Sequence, residues 1–103
     1  MRYNKLVLFI RRLIWDTWNV AHIALHEVTP DEVEEVCHGD FVARQTYRGR
    51  LIIIGPTQSR HILAVGGVLA PEEPPGVYYP LTARPASRNE RWRYREPGDG
   101  EPS

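Results

Sequence analysis

The stretch Arg50-Leu51-Ile52-Ile53-Ile54-Gly55, preceded by Phe41 to Tyr47 and followed by His61 to Leu69, decides the fold. β-Branched residues dominate these runs, and the segments between them, Arg48-Gly49 and Pro56-Thr57-Gln58-Ser59, are turn chemistry of hairpin length. The middle of the chain therefore reads as three antiparallel strands in a meander. Towards the C-terminus, Pro71-Glu72-Glu73-Pro74-Pro75-Gly76 is a rigid polar loop, and Val77 to Ala83 is a further strand carrying Tyr78 and Tyr79. Pro80 places that strand at an edge or interrupts its pairing. Ser87-Arg88-Asn89-Glu90 has the form of a capping box and opens a helix running to about Arg95. From Pro97 the chain is Pro, Gly and acid, the composition of a disordered tail over 97–103.

Towards the N-terminus the period changes. Thr29-Pro30-Asp31-Glu32 is a strong helix start, because Thr29 can cap, Pro30 needs no amide proton in the first turn, and Glu32 completes a capping box. This helix runs to about Cys37 with Val33, Val36 and Cys37 inward and Glu34 and Glu35 outward, and His38-Gly39-Asp40 ends it. Before it, Thr17 to His26 has helical spacing. Trp18, Ala21, Ala24 and Leu25 fall on one side and Asn19, His22 and His26 on another, an amphipathic helix with an Asn/His edge. Arg11 to Trp15 reads as a short strand ending at Asp16.

The chain has 103 residues, room for one domain and one modest core, with the 42 % hydrophobic and 25 % charged content of an ordinary globular protein. With Cys37 its single cysteine, it forms no internal disulfide framework and no cysteine-rich zinc module, and a reducing, cytoplasmic setting is expected. The apolar run Leu6 to Ile10 is too short for a signal core or a membrane span, so neither export nor membrane association is expected. The formal net charge is zero, but the charges are segregated. Residues 16–40 hold Asp16, Glu27, Asp31, Glu32, Glu34, Glu35 and Asp40 without a Lys or Arg, whereas 41–70 hold Arg44, Arg48, Arg50 and Arg60 without an acid. Of the 13 basic residues all but Lys5 are arginine, the cation suited to phosphate and carboxylate oxygens, although Arg-rich codon usage has the same effect on composition.

Two stretches are more specific than the order of elements. Trp15-Asp16, a helix ending in His26, Val28 and a capped helix with Glu34-Glu35 form the first; Thr82-Ala83-Arg84-Pro85-Ala86-Ser87-Arg88-Asn89-Glu90-Arg91-Trp92-Arg93-Tyr94 is the second. Together they resemble the BrnT family of toxins from type II toxin–antitoxin modules, over about Ile14 to Arg95, with residues 1–10 outside the resemblance. The resemblance implies an α+β, RelE/BrnT-like fold over 1–96. Two N-terminal helices and one C-terminal helix would pack on a mostly antiparallel sheet of about four to five strands. It also implies a metal-independent endoribonuclease toxin that needs no cofactor, inhibits translation and growth, and is silenced by a cognate antitoxin of ribbon-helix-helix, BrnA-like type. A homodimer or a toxin–antitoxin heterotetramer would be the assembly. The positions matching the family's basic and histidine motifs are His26, Arg50, Arg84 and Arg91. The first-helix motif, usually Lys-His-Gly-Val, reads Leu25-His26-Glu27-Val28 here, so a cation is missing and an acid replaces a glycine.

Metal-free RNA cleavage needs a base for the 2′-hydroxyl, cations around the phosphorane and an acid for the leaving oxygen. His26 is the acid–base candidate, with Arg50 and Arg84 as the other catalytic candidates. His22, one turn before His26, together with Arg88, Arg91 and Arg95 at spacings of three and four, forms the candidate RNA-binding set. The amides of Ser87 to Asn89 beside Arg84 would make a phosphate seat. Blander readings stand beside each assignment. A histidine at a helix C-terminus also caps, Arg91 and Arg95 also pair with glutamates, and His22 with His26 lacks the third ligand a metal requires. Tyr94 reads as packing the last helix on the sheet with Trp92 on the opposite side, and alternation forbids Arg44, Arg48, Arg50 and Arg60 from all sharing one face. Beside the nuclease stands a non-catalytic alternative, a degenerate toxin or RNA- and antitoxin-binding module, motivated by Leu25 and Glu27.

Overall fold

The computed structural model of the chain describes residues 8–95, so the tail expected at 97–103 lies outside the described residues. The elements follow the order β1 (Arg12–Leu13), α1 (Thr17–Ala24), α2 (Pro30–Cys37), β2 (Val42–Gln45), a 3₁₀ turn (Tyr47–Gly49), β3 (Arg50–Pro56), β4 (Ile62–Leu69), β5 (Val77–Pro85) and α3 (Arg88–Arg95). Among the described residues the strands form one sheet in the order β1-β5-β4-β3-β2. β2 to β4 are the expected antiparallel meander, the further strand β5 continues it antiparallel to β4, and β1 adds parallel to β5 through Arg12–Val77 and Leu13–Tyr78. The result is a small α+β fold with two N-terminal helices, a five-stranded sheet and a C-terminal helix.

Strand alternation divides the sheet's side chains between two layers. On one face Leu51, Ile53, Leu63, Val65 and Tyr78 meet Ile23 of α1, Val28, and Val33, Val36 and Cys37 of α2 in the main core. On the other face Val42, Ile54 and Ala64 pack with Ala86 and are flanked by the half-buried Ile52, Ile62 and Tyr94, so α3 lies across that side. The orientation expected of α2 is the one observed, and burial raises the Cys37 thiol pKa to about 12, which makes it an inert packing group. Tyr78 is fully buried beneath Gly67, where an added Cβ would overlap the Tyr79 carbonyl and the Tyr78 ring. Its hydroxyl donates towards the Leu51 and Val65 carbonyls at 2.9 and 3.2 Å.

Three local expectations resolve differently or more sharply. Pro80 does not lie on an edge, since β5 runs between β1 and β4; its pairing is interrupted instead. The partners step from Thr82–Gly66 to Pro80–Gly67, which leaves Leu81 as the extra residue of a bulge. Second, α1 does not bury its apolar side. Asn19 and Ile23 point into the protein, while Trp18 and Leu25 are 53 % and 73 % exposed and Ala21 and Ala24 face solvent. Asn19 tolerates burial because each of its polar atoms is satisfied. Its amide nitrogen donates to the Ile14 and Pro80 carbonyls at 2.9 and 3.0 Å, and its oxygen accepts the Asp16 amide at 2.9 Å in a capping box. Third, the regular α-helix of α1 ends at Ala24, and a tighter last turn, with the Leu25 and His26 amides donating to the His22 and Ile23 carbonyls, carries the chain through His26. Glu27 adopts φ 61°, its amide donates to the Ala24 carbonyl (2.9 Å), and the Val28 amide donates to the Ile23 carbonyl (3.3 Å). This is a Schellman ending with Glu27 at the left-handed position where glycine is favoured.

Candidate nucleic-acid interface

The face of the sheet that carries α3 is only half covered. Two cross-strand rows run along it: Val42–Ile54–Ala64–Arg84, and Arg44–Ile52–Gly66–Thr82. The first row lies under Ala86 and α3, whereas the second borders an open cleft of about 360 Å³ lined by Thr46, Arg48, Arg50, Ile52, Gly66 and Thr82. Arg50 shares the alternation of Ile52, and its exposed guanidinium makes no hydrogen bond among the described residues. Arg48 reaches the cleft from the turn, where it holds φ 66° ahead of Gly49 at φ 71°. The turn is closed by the Thr46 amide and hydroxyl donating to the Arg50 carbonyl at 2.8 and 3.3 Å. Arg44 stands opposite Ile52, and among the described residues its Nε–H is buried without a hydrogen-bond partner. Glycine at 66 keeps the floor of the cleft low, because a Cβ there would already press on the Thr82 methyl at 3.3 Å.

Arg84 lies on the same face, one row away, and is already engaged. Its two terminal nitrogens donate to the two carboxylate oxygens of Glu90 at 2.7 and 2.9 Å, a bidentate pair. The same carboxylate accepts the Ser87 amide at 2.8 Å, and the Ser87 hydroxyl accepts the Glu90 amide at 3.2 Å, which realises the expected capping box. Arg84 and these hydrogen bonds hold the Glu90 pKa at about 2, well below the usual value of 4.5. The seat expected for a phosphate beside Arg84 is thus filled by the chain's own carboxylate. On α3 the guanidinium of Arg91 donates to the Ala86 carbonyl at 3.0 Å, Arg88 and Arg95 are exposed, and Trp92 points to solvent. Tyr94 packs on the sheet and donates to the Asp40 carbonyl at 2.8 Å, as a packing residue would.

His26 and His22 belong to the opposite layer. His26 follows α1, which packs on the main-core face, and its exposed ring has no hydrogen-bond partner among the described residues, so it acts neither as a side-chain cap nor beside Arg50 and Arg84. His22 stacks on Trp18 with ring centroids 4.7 Å apart and planes inclined by 11°. Among the described residues no group of three or more His, Cys, Asp or Glu is placed to hold a metal ion, and no helix is long and apolar enough to cross a membrane.

The structure therefore brings Arg50 to a cleft with Arg48, Thr46 and Thr82 and places Arg44 at its border. Arg60 lies at the far end of β3, towards Tyr94. Thr46 and Thr82 escaped the sequence reading, although parity with Arg44 and Arg84 would have found Thr82 once the register was known. Comparison of the chain with protein-family models, with curated proteins and with solved structures returns no match.

Proposed function

We propose that this chain engages RNA as the toxin-like member of a toxin–antitoxin pair and holds backbone phosphates over the open half of its sheet. The observation that carries the reading is the cleft in which Arg48 and Arg50 stand with an apolar floor of Ile52 and Gly66, Thr46 and Thr82 lining it and Arg44 next to Ile52 in the same cross-strand row. Guanidinium forks match phosphate oxygens, and an apolar floor accepts the face of an unstacked base. The resemblance to BrnT toxins in the segment Thr82 to Tyr94 supports the assignment of RNA over other polyanions, and a ribbon-helix-helix antitoxin over other partners.

Binding without cleavage is the form of this function that the geometry favours. The cleft offers cations and hydroxyls, whereas the imidazole that would move protons follows α1 on the other layer and the Arg84 fork is closed by Glu90. The metal-independent endoribonuclease is the second reading. It is favoured by the three arginines Arg44, Arg50 and Arg84 sharing one sheet face, an arrangement that stabilises a phosphorane once Glu90 releases Arg84.

One experiment separates these readings: single-stranded RNA incubated with the purified chain in EDTA, followed in parallel by fluorescence anisotropy and by gel. Binding that weakens about tenfold in Arg50→Ala, with intact RNA and unimpaired growth on expression alone, is the expected result. RNA cut by the wild type and spared by Arg50→Ala would establish the nuclease. Absence of binding at low salt would overturn both.

A further inference from the structure

We propose that the outer face of α1 is a docking surface for a partner protein that presents a basic amphipathic segment, an inference independent of the RNA reading. A surface helix ordinarily buries its apolar side and shows polar residues to water. α1 departs from this: it buries Ile23 and the fully hydrogen-bonded Asn19, while Trp18, Ala21, Ala24 and Leu25 form the solvent side, with Trp18 and Leu25 among the most exposed large apolar residues described. An apolar stripe of this kind marks an interaction site, and tryptophan is a favoured anchor of such sites.

Two further features suit α1 to docking. The helix is held rigid before any partner arrives, by the Asp16–Asn19 capping box at its start and the Schellman ending at Glu27, and the Trp18 ring is oriented by its stack on His22. From its N-cap through α2 the chain carries one sign of formal charge. The stretch 16–40, which contains α1 and α2, holds seven acids, Asp16 and Glu27 bracketing the stripe among them, and neither Lys nor Arg.

That charge selects the occupant. A second copy docking α1 against α1 would bring two acidic segments together, and an anionic lipid surface would be repelled by the same acids, whereas apolar side chains flanked by Lys or Arg meet both the stripe and its rim. The surface belongs to the helical layer, and the arginine cleft to the opposite face of the sheet. A partner seated on α1 therefore leaves the cleft open to its own ligand.

The test uses the full chain, ¹⁵N-labelled, titrated with a helical peptide of about 18 residues carrying leucines at i, i+3, i+4 and i+7 and lysines on the flanks. A peptide with the same leucines and glutamates in place of lysines serves as comparison. The expected result is chemical-shift change concentrated on residues 17–27, affinity for the lysine peptide at least about tenfold above that for the glutamate peptide, and about tenfold weaker binding in Leu25→Ser. Leu25 is largely exposed, so this variant keeps the wild-type circular dichroism and melting temperature; Trp18→Ala provides a second disruption of the same stripe. Equal affinity for the two peptides, or shifts mapping away from α1, would overturn the proposal. So would a dimer by sedimentation equilibrium that dissociates in Leu25→Ser, which would assign the face to a second copy instead.

Discussion

The carboxylate of Glu90 accepts both terminal nitrogens of Arg84 and the Ser87 amide, which draws its pKa down to about 2. A depressed folded-state pKa means that the pair stabilises the fold fully above the unfolded value near 4.5 and loses this contribution as pH falls through about 2. Glu90→Gln retains the hydrogen-bonding shape of a capping box while removing the charge. With the Glu90 side chain 12 % exposed but Arg84 41 % exposed, solvent screening limits the loss to about 1 kcal/mol at pH 7. Urea unfolding should show this gap between wild type and variant at pH 7 and its closure between pH 4.5 and 2; a gap independent of pH would exclude the ionic explanation. The same variant loosens the Arg84 fork, so RNA binding should become tighter, by anisotropy, if Arg84 lies within reach of the bound phosphates. The occupied fork also explains why a cationic motif in the sequence is not, by itself, an anion site. The guanidinium there already has the partner its geometry prefers.

At the level of elements, α1 shows how a helix end is set by backbone conformation. The chain leaves α1 through Glu27 in the left-handed region, with the Ala24 and Ile23 carbonyls accepting the Glu27 and Val28 amides. A side chain with a Cβ is strained there by about 1 kcal/mol relative to glycine. Glu27→Gly is therefore expected to raise stability by about 0.5–1 kcal/mol, part of the relief being offset by the greater freedom of glycine in the unfolded chain. Chemical denaturation midpoints check this, and destabilisation would contradict the assigned ending. The left-handed conformation at Glu27 thus sets how the chain leaves α1, and its cost is one of backbone strain. The bulge at Leu81 plays a comparable role in β5. It lets Pro80 sit inside the sheet without a ladder bond, while its carbonyl accepts from Asn19.

For the whole molecule, the sheet separates two surfaces of different character: an acidic helical layer bearing an exposed apolar stripe, and a half-open face bearing arginines. The two should respond differently to salt. Each phosphate contact on a single strand contributes about 0.7 to the slope of log K against log salt. Arg50→Ala should therefore flatten that slope for RNA by about 0.7, whereas Leu25→Ser should leave it unchanged. Binding isotherms over a series of salt concentrations measure both, and a flattened slope in Leu25→Ser would mean that RNA runs over the helical layer.

Much of the architecture was legible from local signals. The Thr29–Glu32 and Ser87–Glu90 capping boxes, the β-branched runs and the turns between them place α2, α3 and the meander within a few residues of where they stand, because caps, turns and alternation act over three or four residues. What only the tertiary structure decided depends on contacts distant in sequence, or on a choice among equally plausible partners. Asn19 turns inward because Pro80, 61 residues on, supplies an acceptor. Arg84 pairs with Glu90 rather than awaiting a phosphate, and the register of β2 to β5 puts Arg44, Arg50 and Arg84 on one face while the main core holds the helix preceding His26 to the other. Periodicity in a single sequence says which residues share a side of one element. Which sides meet is settled by burying apolar area while leaving no polar group unsatisfied, and that condition applies only to the assembled chain.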